Sequence, residues 1–145
     1  IFSLLCASPA YLEKYGEPKS LDDLQKHACL RLVNPSITPQ WHLVSENSCS
    51  YQIDITGQLI ADTPELLLDM VQQDMGIALL PTFAVIEAIR TGRLRRVLTD
   101  WRSPDIGVYT LLPSRHFIDA KARAWLTWVE QHISPKIQSD TDYFL

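Results

Sequence analysis

Three short stretches set a hydroxyl beside a proline at what read as strand-to-helix corners: Ser8-Pro9, Asp62-Thr63-Pro64 and Pro81-Thr82-Phe83. A side-chain oxygen at such a corner accepts a hydrogen bond from the first helical turn, and a proline there costs nothing because its missing N–H would have gone unpaired. Other N–H groups of the turn point outward and suit a carboxylate or another small polar group. Taken singly, each corner is plain helix capping. Converging in one domain, Ser8, Thr63 and Thr82 would line one side of a cleft, with Pro81 beside them and Phe83 as an apolar wall.

Covalent chemistry is poorly provided for. There is no GxSxG elbow, no HExxH, no glycine-rich phosphate loop and no paired Cys/His spacing, so no catalytic residue, metal site or cofactor is expected. His27 and Cys29 would share a face if extended, but His27 ends a predicted helix, where a cation complements the dipole. His42, His116 and His132 lack an acidic partner at useful spacing. Arg90, Arg93, Arg95, Arg96 and Arg102 are the one concentration of charge. They read as a solvated helix end and edge strand, or as a contact surface for an anionic partner.

The corners need strands before them and helices after them. Residues 60–98 supply both, as strand, helix, strand, helix, strand. The helix over 64–75 is stopped by Gly76, and Ile77-Ala78-Leu79-Leu80 has the composition of a buried strand. A second helix opens at Pro81-Thr82-Phe83 and closes at Gly92, and 94–98 resumes extended structure. This grammar implies a parallel sheet covered by helices, with ligands beyond the carboxyl ends of the strands. Upstream, 1–7 is a buried strand, 9–15 a helix capped by Ser8 and stopped by Gly16, and 20–28 a helix begun by Ser20 with Asp23 three residues on. Strands follow at 29–33, 41–44 and 51–56, separated by a turn at Asn34-Pro35-Ser36 and a loop over 45–50. In the last of them Tyr51, Ile53 and Ile55 alternate with Gln52, Asp54 and Thr56, as in a half-exposed strand near a sheet edge. Residues 100–104 read as irregular, 106–112 as an interior strand, 113–116 as a connection, 119–133 as an amphipathic helix closing over a sheet, and 138–145 as a frayed tail.

The 64–75 helix has more apolar surface than one docking face needs. Leu66, Leu67, Leu68, Met70, Val71 and Met75 cover about half its circumference, where a stripe of roughly 100° suffices. Either the helix is well buried within its own domain, or Leu66 and Met70 meet another subunit.

At 145 residues with 46% hydrophobic content, the chain can build one ordinary core. A mean hydropathy of −0.03 and the lack of an apolar run near the roughly 18 residues of a membrane span argue against a membrane protein. The net charge of −4 argues against a free-standing nucleic-acid binder. Cys6, Cys29 and Cys49, odd in number and without CxxC spacing, read as reduced thiols of a cytoplasmic protein. The chain opens at Ile1 in apolar sequence with no visible signal peptide, which reads as a fragment.

Taken together, ASPAYLEKYGEP (7–18), DLQKHACL (23–30), a Trp in the next strand, GQLIADTPELLLDMVQQDMGIALLP (57–81), GRLRRVL (92–98) and VYTLLPSRHFIDAKARAWLTWV (108–129) resemble the effector-binding domain of LysR-type transcriptional regulators. The resemblance runs in matching order from about 4 to 133. It implies an α/β fold of the type II periplasmic-binding-protein-like kind, a mixed sheet with flanking helices, in which a small-molecule effector binds between two subdomains. Residues 1–92 would form the second subdomain with its crossover strand. Residues 93–137 would supply the return crossover, last strand and C-terminal helix of an otherwise incomplete first subdomain, and 138–145 a tail. The family pocket is lined at positions matching Ser8, Thr63, Pro81, Thr82 and Phe83. The helix bearing Leu66 and Met70 matches an element that packs on a neighbouring subunit, implying a homodimer or higher oligomer. The family's winged helix-turn-helix lies outside this chain, so DNA would be met only through it. The rivals are a transporter's solute-binding protein of the same fold, and a small α/β enzyme with Ser8 or Cys6 as nucleophile, for which no base stands at plausible spacing.

Overall fold

Every residue of Ser3–Ala7 is buried, and together they form strand β1. Four aliphatic or small apolar positions in a row leave neither face of this strand suited to water, so it must lie inside the sheet. The computed structural model describes residues 1–33, 40–45, 47, 49–55, 57, 59–112 and 118–145. The expected turn at Asn34-Pro35-Ser36, positions 46 and 48 of the expected loop, Thr56 and the connection over 113–116 lie outside the described residues.

Strand β1 is flanked on one side by β6 (Ile77–Pro81) and on the other by β7 (Arg95–Arg96) and β8 (Trp101–Arg102), all antiparallel to it. Beyond β6 come β2 (Cys29–Leu32) and β5 (Ile60–Ala61), both parallel to β6. Beyond β8 come β3 (Gln40–Ser45) and the edge strand β4 (Ser50–Asp54), joined antiparallel. The expected parallel sheet therefore holds for β2, β5 and β6, while β1 runs against them. The half-exposed strand is at an edge, as its alternation required. Ile53 and Ile55 are buried, whereas Tyr51 remains exposed against the ring edge of Trp101.

Each face of the sheet carries its own core. On one, Leu5, Ala7 and Ile77 meet Trp41, Leu43 and Ile53, and are covered by Tyr11 and Leu12 of α1 (Pro9–Tyr15) and Leu24 of a 3-10 helix (Leu21–Lys26). On the other, Leu4, Cys6, Leu30, Ala78 and Leu80 meet Leu67 and Val71 of α2 (Pro64–Gln72) and Val85 and Ala88 of α3 (Thr82–Arg90). Helix α2 stops three residues earlier than expected. Asp74 then takes a positive φ of 60°, and Gly76, at φ 154°, brings the chain so close to β2 that a Cβ would sit 2.2 Å from the Ala28 carbonyl oxygen. Gly76 therefore serves close packing as much as helix termination. Met70 packs partly on the internal core, while Leu66 stays 48% exposed.

The C-terminal third departs most from expectation. Residues 106–112 form no strand, and Ile106, Val108, Tyr109 and Leu111 are exposed. Both edges of β1 are already occupied, and an extended segment that joins no strand cannot satisfy its backbone by itself. Helix α4 (Ala120–His132) accordingly closes over no sheet. None of its residues is buried, and it rests chiefly on α5 (Ser134–Asp142). The expected frayed tail is in fact this docked helix. Phe144 joins the α2–α3 core, its carbonyl accepts from Arg96 Nη1 at 2.9 Å, and Arg90 lies over the Tyr143 ring at 4.9 Å. Residues 100–104, expected to be irregular, contain β8.

Candidate functional site

Strand direction decides which corners share an end of the sheet. Arg31 is paired with Ile60 and Leu32 with Ala61, while Leu30 is paired with Ala78. Strands β2, β5 and β6 therefore finish level with one another, and Thr63, Pro81, Thr82 and Phe83 stand at that common carboxyl end. Thr63 caps α2, its Oγ1 accepting from the Leu66 N–H at 3.3 Å, with Pro64 in the first turn. Pro81 precedes α3 without any side-chain cap. Thr82 is buried, its N–H donating to the Phe2 carbonyl at 2.9 Å, whereas Phe83 is 49% exposed at the rim. An exposed phenyl beside uncapped first-turn N–H groups offers one apolar wall and donors for a polar group.

Ser8 is not brought to this place. Because β1 is antiparallel, with Ser3 opposite Pro81 and Cys6 opposite Ala78, its carboxyl end lies at the far end of the sheet. There Ser8 Oγ accepts from the Tyr11 N–H at 3.1 Å and donates to Asp74 Oδ1 at 2.5 Å, clasping α1 to the loop after α2. The three corners thus do not converge, because the spacing that marks a strand-to-helix corner carries no information on strand direction.

In place of Ser8, the amino end of β1 reaches the site. Ser103 Oγ accepts from the Ser3 N–H at 2.7 Å, and the Ser103 N–H donates to the Ser3 carbonyl at 2.9 Å. One step out, the Ile106 N–H donates to the Ile1 carbonyl at 2.7 Å and the Ile1 amine to the Ile106 carbonyl at 3.2 Å. Arg102 lies over the Phe2 ring, 4.7 Å from its centre. Two antiparallel connections therefore run side by side past Pro81. The residue types at Ser103-Pro104 read as irregular, and the pairing partner shows this stretch to continue a strand.

The other candidates for chemistry are accounted for structurally. The Tyr11 hydroxyl accepts from the Ala28 N–H at 3.0 Å and lies 3.2 Å from His27 Nδ1. Burial holds the His27 imidazole below its ordinary range, with Asp23 opposing the shift and Lys26 adding to it. Burial pushes the Cys6 and Cys29 thiols up to about 12, so neither is a nucleophile at neutral pH. The arginine concentration is spent on contacts within the chain. Arg90 meets Asp140, Arg93 meets Gln72, Arg95 meets Glu17 and Arg102 meets Asp105. No group of metal-ligating side chains occurs among the described residues. A cavity of about 310 Å³ lined by Leu24, His27, Cys29, Ile53, Asp54 and Leu59 lies away from the carboxyl ends of the parallel strands.

A mixed sheet with helices on both faces defines an α/β domain. The chain belongs to the LysR substrate binding domain family, whose model matches residues 3–134. It is 32% identical over 127 residues to the uncharacterized HTH-type transcriptional regulator YcaN of Escherichia coli K12, covering 87% of this chain and 41% of that protein. It is 28% identical over 142 residues to the probable HTH-type transcriptional regulator LtrA of Klebsiella pneumoniae, covering 97% of this chain and 41% of the relative. The chain thus spans about two fifths of the length of these curated relatives. In fold it is similar to the regulatory domain of AphB from Vibrio vulnificus, with a TM-score of 0.77 at 24% identity over 90% of this chain and 64% of that one. The regulatory domain of CrgA, a LysR-type regulator from Neisseria meningitidis, gives a TM-score of 0.69 at 23% identity over 90% and 65%. The fold is that of LysR-type regulatory domains, the periplasmic-binding-protein-like α/β fold.

Two outcomes follow from this geometry. Ser103→Ala leaves the buried Ser3 N–H without its acceptor, and should cost about 1–3 kcal/mol in urea unfolding and speed hydrogen exchange at Ser3. Because His27 has a lowered pKa when folded, the unfolded chain takes up the proton first. Stability should therefore be full above the ordinary histidine value of 6.5 and fall as pH drops through that value towards the folded one. Denaturation curves at several pH values should show this decline, and His27→Gln should flatten it.

Proposed function

We propose that this chain is the effector-sensing portion of a LysR-type transcriptional regulator, and that its effector is held at the carboxyl ends of β2, β5 and β6 by Thr63, Pro81, Thr82 and Phe83. The observation that supports this reading is that those four residues share the carboxyl end of the parallel strands, where Pro81 and Thr82 lie beside the paired segments Ile1–Ser3 and Ser103–Ile106. Ser8, at the opposite end, is left out of the site and acts as a clasp. In this reading residues 1–92 form one lobe, 93–137 return to a second, and 138–145 belong to the helical tail docked on the first. An effector with higher affinity for one arrangement of the lobes shifts the population towards it. The paired connections are where rotation would be absorbed.

The family relationship to HTH-type regulators favours this role over a transporter's solute-binding protein. DNA would be contacted by a separate domain of the whole protein, which would act in the cytoplasm and catalyse no reaction. Leu66, exposed on α2, and its neighbour Met70 are the proposed oligomer contact.

Effector-dependent operator binding by the whole regulator tests the reading. Phe83→Ala should raise the effector concentration for half-response by at least about tenfold while leaving effector-free DNA binding intact, since a buried aromatic contact is worth on the order of 1.5–3 kcal/mol. An unchanged response would remove the site from this end of the sheet. The exposed Ile106, Val108, Tyr109, Leu111, Trp125 and Trp128 should make the isolated 145-residue chain self-associate. Light scattering at micromolar concentration should give at least a dimer mass, and a monomer would refute this.

A further inference from the structure

One arginine in the described structure stands apart from the rest. Arg90, Arg93, Arg95, Arg96, Arg102 and Arg123 each donate to, or pair with, an oxygen of the chain. Arg31 is partly buried, its Nε is shut off from solvent, and no hydrogen bond or ion pair reaches its guanidinium from any described residue. Asp62, just past β5, forms no ion pair with it. The six residues that follow Val33, NPSITP, contain no acid. A buried Nε–H with nothing to donate to is destabilising, and a core strand would more economically carry an apolar residue there.

Its position gives the reason. Arg31 is opposite Ile60 in β5, and Cys29, two residues before it, is opposite Ile77 in β6. Continuing that register sets Arg31 level with Leu79, two residues short of Pro81, which at 3.3 Å per residue is about 7 Å from the rim. An extended arginine side chain covers a span of that order. Arg31 therefore lies beneath the same carboxyl-end rim that carries Thr63, Thr82 and Phe83, in the central one of its three parallel strands. A guanidinium is planar and permanently charged, and it pairs bidentately with a carboxylate in a way no neutral group matches.

We propose that Arg31 is the charge-recognition residue of the cleft and that the effector carries a carboxylate, which Arg31 binds. This rests on the cleft reading above and adds to it the ligand's charge and its anchor. The unpaired guanidinium is then the cost of holding an anion site ready before the ligand arrives.

The test uses the 145-residue chain with benzoate and succinate as probes, each set against its primary amide, followed by NMR at the Arg31 side-chain Nε–H and at the Thr82 and Phe83 amides. At millimolar concentration at least one carboxylate should shift all three signals, and the amides should shift none. Arg31→Gln should weaken the carboxylate by at least about tenfold, the loss expected for a charge-assisted pair. The same variant should keep or raise the Tm of the ligand-free chain. Failure of both carboxylates to shift the Arg31 signal overturns the proposal, as does unchanged affinity in Arg31→Gln or a lowered ligand-free Tm. Probe binding that survives Arg31→Gln but is lost in Phe83→Ala removes Arg31 and leaves the cleft. Binding that depends on Arg31 while the Thr82 and Phe83 amides stay silent keeps the anion site and removes the cleft.

Discussion

The pairing of β1 on both of its edges is the constraint on which the rest of this molecule depends. One edge is bonded to β6 and the other to β7 and β8, so a single five-residue segment joins the parallel half of the sheet to the antiparallel half. Its side chains divide between the two cores, with Leu5 and Ala7 on one face and Leu4 and Cys6 on the other. Neither core is complete without it. Leu98 shows the strain of fitting the return strand alongside: it takes a positive φ of 49° between β7 and β8, where the chain kinks and then rejoins the same partner. A leucine in that conformation is tolerated only because the pairing on either side over-determines it.

The direction of β1 also sets the polarity of the molecule. Its amino end, with Ser3 and Ser103, is at the carboxyl end of the parallel strands, and its carboxyl end, with Ser8 and Asp74, is at the other. Two serines therefore do different work. Ser103 stitches the segment after β8 to the start of β1, and Ser8 fixes α1 against the turn after α2. The charged surface follows the same economy. Among the described residues, Arg90, Arg93, Arg95, Arg96, Arg102 and Arg123 are bound to nearby oxygens, and Arg31 has no such partner.

How much of this was legible in the sequence depends on the range of the interaction that decides each feature. Local signals read truly. Ser8-Pro9 and Thr63-Pro64 mark helix starts, Gly16 and Gly92 follow helix ends with positive φ, and Tyr51–Ile55 alternates as an edge strand does. Features set by distant partners did not read. The corner at Ser8 has the same local grammar as the one at Thr63, yet the strand before it runs the opposite way. Residues 106–112 have the composition of an interior strand but pair with no strand of the sheet. The polar tail becomes helix α5 because Phe144 finds the α2–α3 core, a contact that no periodicity announces. Of the candidate site, the four rim residues were visible as corner chemistry. Arg31 was passed over because one arginine in a strand carries no pattern, and only the lack of a partner in three dimensions sets it apart.

The long reach of β1 bears on how the chain is made. Its partners in β6, β7 and β8 begin some seventy residues downstream and end about a hundred downstream. At ribosomal rates of about 5–20 residues per second, Ser3–Ala7 must wait for roughly 5–20 s after emergence before its last partner exists. For that interval a strand that is wholly buried in the folded domain is a nascent segment with two unpaired edges. The feature that makes the folded sheet cohesive thus makes the growing chain a client for whatever shields hydrophobic segments at the ribosome exit. Closure of the domain becomes a late event in synthesis, set by the arrival of Trp101 and Arg102 rather than by the formation of the first helices.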